Sequence, residues 1–170
     1  LLLSALILSL LACADRSPDE SGPASPFSVA DSLREDGRFV EALSRYRALR
    51  DSFALAGDSA NHWRAQLWWA DTQRRLGRTD SARMGLSEAR KLAAADESRV
   101  GWTRLMLSFV LERDGQLDSA FVEARAALEL ARRTTDLKLE AYAHDGLGTA
   151  HSLRGRYREA LASDSTSLAL

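Results

Sequence analysis

Cysteine is almost missing from this chain: Cys13 is the only one in 170 residues. A lone thiol cannot build a disulfide framework or a cysteine zinc cluster, so the fold must be held by packing. Proline is nearly as scarce, and Pro18, Pro23 and Pro26 all fall within the first 26 residues. A surplus of one charge is lacking as well. The formal net charge is −1, both signs interleave, and arginine far outnumbers lysine, which stands only at Lys91 and Lys138. No basic stripe of the size that phosphate-backbone binding needs is present, which argues against nucleic acid as a partner. The three histidines, His62, His144 and His151, are scattered. His144 and His151 share a helix face at i, i+7, but no third ligand stands at metal spacing, and no Ser, Asp and His constellation has a strand-turn-helix context. There is no glycine-rich phosphate loop either, since LRGRYREA (153–160) lacks the preceding strand and the lysine. The sequence thus offers no catalytic residues, no metal site and no cofactor site, and catalysis is not expected.

What is present is repetition. The phrases LREDGRFVEAL (33–43), RRLGRTDSARM (74–84), LERDGQLDSAF (111–121) and HSLRGRYREAL (151–161) place Gly37, Gly77, Gly115 and Gly155 at intervals of 40, 38 and 40 residues. In each copy an apolar-periodic run ends in a charged turn around the glycine, where φ above zero lets one helix reverse into the next. Five residues later comes Ala42, Ala82, Ala120 or Ala160, small enough for two antiparallel helices to approach closely. Tyr46, Leu49, Leu86, Ala89, Ala124, Ala127 and Leu128 continue the i, i+3, i+4, i+7 stripe of the second helix. The pattern predicts helices over about 27–36, 39–56, 59–76, 79–95, 97–114, 117–133 and 136–153, and from 157 on. These make hairpin units of about 27–57, 58–96, 97–134 and 135–170. Asp58 or Ser59 is placed to cap a helix, and Asp80, Asp114 and Asp118 lie near turns where carboxylates meet helix N-termini favourably.

These phrases resemble the tetratricopeptide repeat from about residue 25 to the end, in an elongated form of about 40 residues without the usual closing proline. The resemblance implies an all-α, right-handed superhelical solenoid of stacked antiparallel hairpins. It also implies a small residue seven positions before each turn glycine, here Ala30, Ala70, Ser108 and Gly148. First helices would line a concave binding surface. Counting along them points to Asp71 and Arg74, Phe109 and Glu112, and Thr149 and Ser152, with Arg64, Arg75, Trp102, Arg113, Tyr142 and Asp145 as neighbours. Arg64, Arg74 and Arg75 together would suit a bidentate clamp on a carboxylate or acidic peptide. Adjacent helical residues lie 100° apart, so Trp68 and Trp69 should point away from each other, with one of them exposed in the groove. Asp164 falls where the family carries a large apolar residue, which marks the last helix as a polar cap or an open edge. His144 and Asp145 beside Gly146 and Gly148 suggest loose packing.

The N-terminus reads differently. Residues 1–12, LLLSALILSLLA, are too short a run for the roughly 18 to 20 residues a spanning helix needs, and they fit a secretory h-region whose start is incomplete. Leu10-Leu11-Ala12-Cys13 resembles the lipobox of bacterial lipoprotein precursors, in which Cys13 would accept diacylglycerol. Ala14 is not an Asp-type inner-membrane retention signal, so the outer membrane is favoured where the cell has one. Residues 13–26 then form the lipidated Cys13 and a flexible tether, and 27–170 the repeat domain. Two functions follow as expectations. One is a lipid-anchored, non-catalytic scaffold binding a peptide or protein at the cell envelope. The other is a regulatory repeat region of a longer polypeptide. Self-association through the C-terminal repeat edge is a third role for the same surface.

Overall fold

The computed structural model describes residues 25–169, and these form eight helices and no strand. The signal-like run, Cys13 and most of the tether lie outside the described residues, as does Leu170. The elements are α1 (Ser28–Glu35), α2 (Phe39–Leu55), α3 (Ser59–Arg75), α4 (Thr79–Ala93), α5 (Glu97–Arg113), α6 (Leu117–Thr134), α7 (Leu137–Leu153) and α8 (Tyr157–Ala169). Each helix packs chiefly on its neighbours in sequence, and first helices also meet across units, α3 with α5 and α5 with α7. The protein is an all-α stack of four antiparallel hairpins, the arrangement of a helical repeat solenoid.

Turn chemistry explains why each hairpin closes where it does. Gly37, Gly77, Gly115 and Gly155 adopt φ between +73° and +78°. The next residue's N–H then reaches back to the carbonyl five positions earlier, as in Arg38 to Leu33 at 2.9 Å and Gln116 to Leu111 at 2.9 Å, so the helix's last carbonyls stay bonded. The links between hairpins are also capped at the following N-terminus. Asp58, Asp96 and Asp136 accept from the backbone N–H of Asn61, Arg99 and Leu139 at 2.9–3.0 Å. Asp80 and Asp118 lie in the first turns of α4 and α6 without capping them, since Arg78 and Gln116 hold the N-cap positions with no side-chain bond. Asp114 sits at the end of α5 and pairs with Arg83 of α4 at 2.6 Å.

Small residues at the hairpin crossings set the helix spacing. Ala30, Ala70 and Ser108 face Ala42, Ala82 and Ala120 with every one of these side chains buried. Glycine serves the same end where even a methyl group is too large. A Cβ on Gly85 would stand 2.9 Å from the Cβ of Ala70, and one on Gly101 would stand 2.6 Å from Leu139. The loose packing expected around Gly146 and Gly148 is not found. A Cβ on Gly146 would come within 3.2 Å of the Phe109 ring, and the place of one on Gly148 is taken by the Asp164 carboxylate. Those glycines therefore mark close approach of α7 to α5 and α8. The main core runs through α3 to α7 around Leu67, Leu86, Leu105, Val110, Leu128 and Leu139, and a smaller one joins Phe27, Ala30, Ala42, Tyr46 and Ala65.

Candidate binding groove

Stacking the units brings side chains that are far apart in sequence into a row along the first helices. The Arg34 guanidinium lies 4.5 Å over the Trp68 ring. Trp68 meets Trp102 at 6.4 Å between centroids, and Trp102 meets Tyr142 at 5.5 Å, both tilted by 57°. The row thus crosses all four hairpins. Its orientation is fixed from behind: the Trp102 indole N–H donates to Asp136 Oδ2 at 3.0 Å, beside a Ser98 hydroxyl donating to the same oxygen at 2.7 Å. Burial opposes ionisation of Asp136, but the hydrogen bonds from Leu139, Ser98 and Trp102 outweigh it and hold the carboxyl below its usual range. Tyr142 remains 43% exposed, which leaves a ring face for a ligand.

Trp68 and Trp69 diverge as helical geometry requires. Trp68 joins this row, whereas Trp69 turns to the other side, under Arg50 at 5.5 Å and against Gly85. There it helps line an open cleft of about 380 Å³ with Arg50, His62, Gln66 and Met84. A second cleft of about 590 Å³ lies between α4, α5 and α6 around Leu86, Arg90, Arg104 and Glu123. Neither of these two clefts includes a member of the aromatic row.

The arginine clamp does not assemble. Arg74 and Arg75 both close on Asp71, at 2.6 and 2.8 Å, and Asp71 is itself buried. Arg64 pairs with Asp31 at 3.2 Å and lies over Phe27 at 4.2 Å. These guanidiniums already have carboxylates, and Asp71 acts as their anchor. Arg113 reaches back over the Gly77 turn of the preceding hairpin. Arg74 also lies 5.4 Å from the Phe109 ring. Thr149 and Ser152 are exposed on α7.

Glu112 is the unusual member. Its Oε1 is buried without a hydrogen-bond partner. Burial pushes the carboxyl up to about 7; Arg74 opposes this and Asp145 adds to it. Asp145 is raised too, by burial and by Asp164. A carboxyl raised on folding contributes stability fully below its ordinary value near 4.5, and that stability is lost as pH climbs through 7. Glu112→Gln is therefore expected to match the parent at pH 4.5 and exceed it by about 1–2 kcal/mol at pH 8, after discounting for partial exposure. Urea unfolding at the two pH values measures this.

His144 is held below its usual range by burial and Arg132, against a smaller opposing pull from Glu140, and His151 packs edge-on to Phe121 at 5.1 Å. Among the described residues no group of three His, Cys, Asp or Glu side chains is placed to hold a metal ion. No helix among them is long and apolar enough to cross a membrane. One member of the row lies outside the residues that sequence spacing points to. Arg34 stands three before its glycine as Arg74 does, in the unit whose first helix is shortest. In comparisons with known proteins, the chain matches no protein-family model and no curated protein.

Proposed function

We propose that the chain is a non-catalytic interaction scaffold of tetratricopeptide type that binds an extended peptide or protein segment across its first helices. The observation that carries this is the continuous Arg34, Trp68, Trp102 and Tyr142 row. Rigid aromatic faces supply contact area at little entropic cost, and a row spanning several stacked units suits an extended chain better than a compact metabolite. Selection of twelve-residue peptides from a random display library against the full chain, followed by calorimetry, tests it. Selected peptides should bind the parent and lose affinity with Tyr142→Ala. Equal affinity for both proteins would remove the proposal.

The same reading places the scaffold at a bacterial cell envelope through diacylglycerol on Cys13. Mass spectrometry of the N-terminal peptide from the native host is expected to show a diacylglyceryl mass increment on Cys13. Cys13→Ser is expected to abolish that increment and release the protein from the membrane fraction. An unmodified Cys13 in a membrane-free protein would contradict the anchor.

One observation favours the second reading, a regulatory repeat region within a longer polypeptide. Leu43 and Leu128 are each 8% exposed under the following first helix, while their counterparts on α8, Leu161 and Leu168, are 68% and 90% exposed. That edge is shaped for another helix, whether from a longer chain or from a second copy.

A further inference from the structure

The spacing of the turn glycines falls once, from 40 residues to 38, and the two missing residues have a definite place. From the N-caps Asp58, Asp96 and Asp136 to Gly77, Gly115 and Gly155 the distance is 19 residues each time. From Gly37, Gly77 and Gly115 to the N-cap that follows it is 21, 19 and 21 residues. The first helices are therefore constant, and the second helix of the second unit, with its link, is two residues short. α4 accordingly has 15 residues, against 17 in α2 and 18 in α6. After α2 and α6 the N-cap N–H reaches five residues back, Asp58 to Phe53 and Asp136 to Ala131, both at 3.0 Å. After α4 the Asp96 N–H donates to the Ala93 carbonyl at 3.0 Å, and the chain turns through Ala94 at φ +48° and ψ −121°. Residues with a side chain rarely adopt that conformation.

The shortfall coincides with a cleft. Its volume is about 590 Å³, its walls are α4 with Ala94 on one side and Glu123 of α6 on the other, and α5 is its floor. Leu86, Val100 and Leu107 supply apolar surface. Thr103 beside them is already committed, accepting from Trp63 Nε1 at 3.2 Å and donating to the Arg99 carbonyl at 2.8 Å. Three guanidiniums and one carboxylate complete the lining. Arg104 pairs with Glu123 at 2.8 Å and Arg83 with Asp114 at 2.6 Å, whereas Arg90 is exposed and in no ion pair among the described residues. Small-molecule sites usually measure about 300–1,000 Å³ and combine an apolar lining with a few polar groups that fix orientation.

We propose that this cleft binds an amphiphilic monocarboxylate, its carboxylate gripped by the two-bond fork of Arg90 and its hydrocarbon body laid on Leu86, Val100 and Leu107. One negative charge suffices, because Arg83 and Arg104 already have carboxylates. A cation would be repelled by the three guanidiniums. None of Arg34, Trp68, Trp102 and Tyr142 lines the cleft, so the site does not depend on that row binding a peptide.

Titration of the full chain with sodium octanoate, followed by amide resonances, tests the assignment. The signals of Ala94, Val100 and Leu107 should shift together and saturate with a Kd of about 1 mM or below. Octan-1-ol, which keeps the tail and lacks the charge, should bind at least about tenfold more weakly. Octanoate should lose about tenfold in affinity for Arg90→Ala, a change at an exposed position that leaves the packing intact. Equal affinity of octanoate for Arg90→Ala, or of octan-1-ol for the parent, would overturn the site. So would saturation confined to the indoles of the row, or no saturable shift at the three amides up to about 10 mM.

Discussion

Replacing Leu105 by alanine is expected to lower the free energy of unfolding by about 2–5 kcal/mol, a large fraction of the total for a domain of this size. Leu105 is fully buried in the main core, and its Cδ1 would stand 3.3 Å from a Cβ placed on Gly146 of α7. It lies on α5, the helix that packs on α4, α6, α3 and α7. The loss therefore combines a cavity within the third hairpin with a weakened contact to the fourth. In a stack where each unit touches only its neighbours, stability is a sum of unit and interface terms, so damage at a central helix reaches both. Leu161→Ala, on an exposed face, should stay within about 0.5 kcal/mol. Urea unfolding followed by far-ultraviolet circular dichroism compares the two, and equal midpoints would mean that the stack is not held from α5.

Trp102→Ala should act on stability and on binding together. The ring bridges Trp68 and Tyr142, and its indole N–H helps hold Asp136, which caps α7. Truncation removes a half-buried aromatic side chain and one acceptor's partner, for an expected cost of about 2–3 kcal/mol. It also breaks the row at its middle, so peptide affinity should fall by about a hundredfold or more. Tyr142→Ala separates the two effects. Its exposed ring contributes little to folding, and the expected result is a loss of about tenfold in affinity with unfolding nearly unchanged.

The glycine register made the fold legible in the sequence. Each turn glycine needs a positive φ and each following alanine needs a buried crossing, and the observed helix boundaries up to the start of α8 lie within two residues of the expected ones. The site was less legible, for reasons that differ by residue. Helical angles put Trp68, Trp102 and Tyr142 on one side, but they do not say which guanidinium finds which carboxylate. Arg74 and Arg75 turn inward to Asp71 because a buried carboxylate needs compensation, and that choice of rotamer has no signature in spacing. Gly146 and Gly148 look permissive in sequence and are crowded in space, because their neighbours come from α5 and α8.

The central claim is that the Arg34, Trp68, Trp102 and Tyr142 row is the binding surface. The four indole N–H resonances of the protein test it most directly, during titration with a peptide selected from a random library. The signals of Trp68 and Trp102 should shift in step and saturate while that of Trp69, on the opposite cleft, stays in place. Movement of Trp69 without Trp68 and Trp102 would assign binding to the cleft around Arg50 and Met84 and contradict the account.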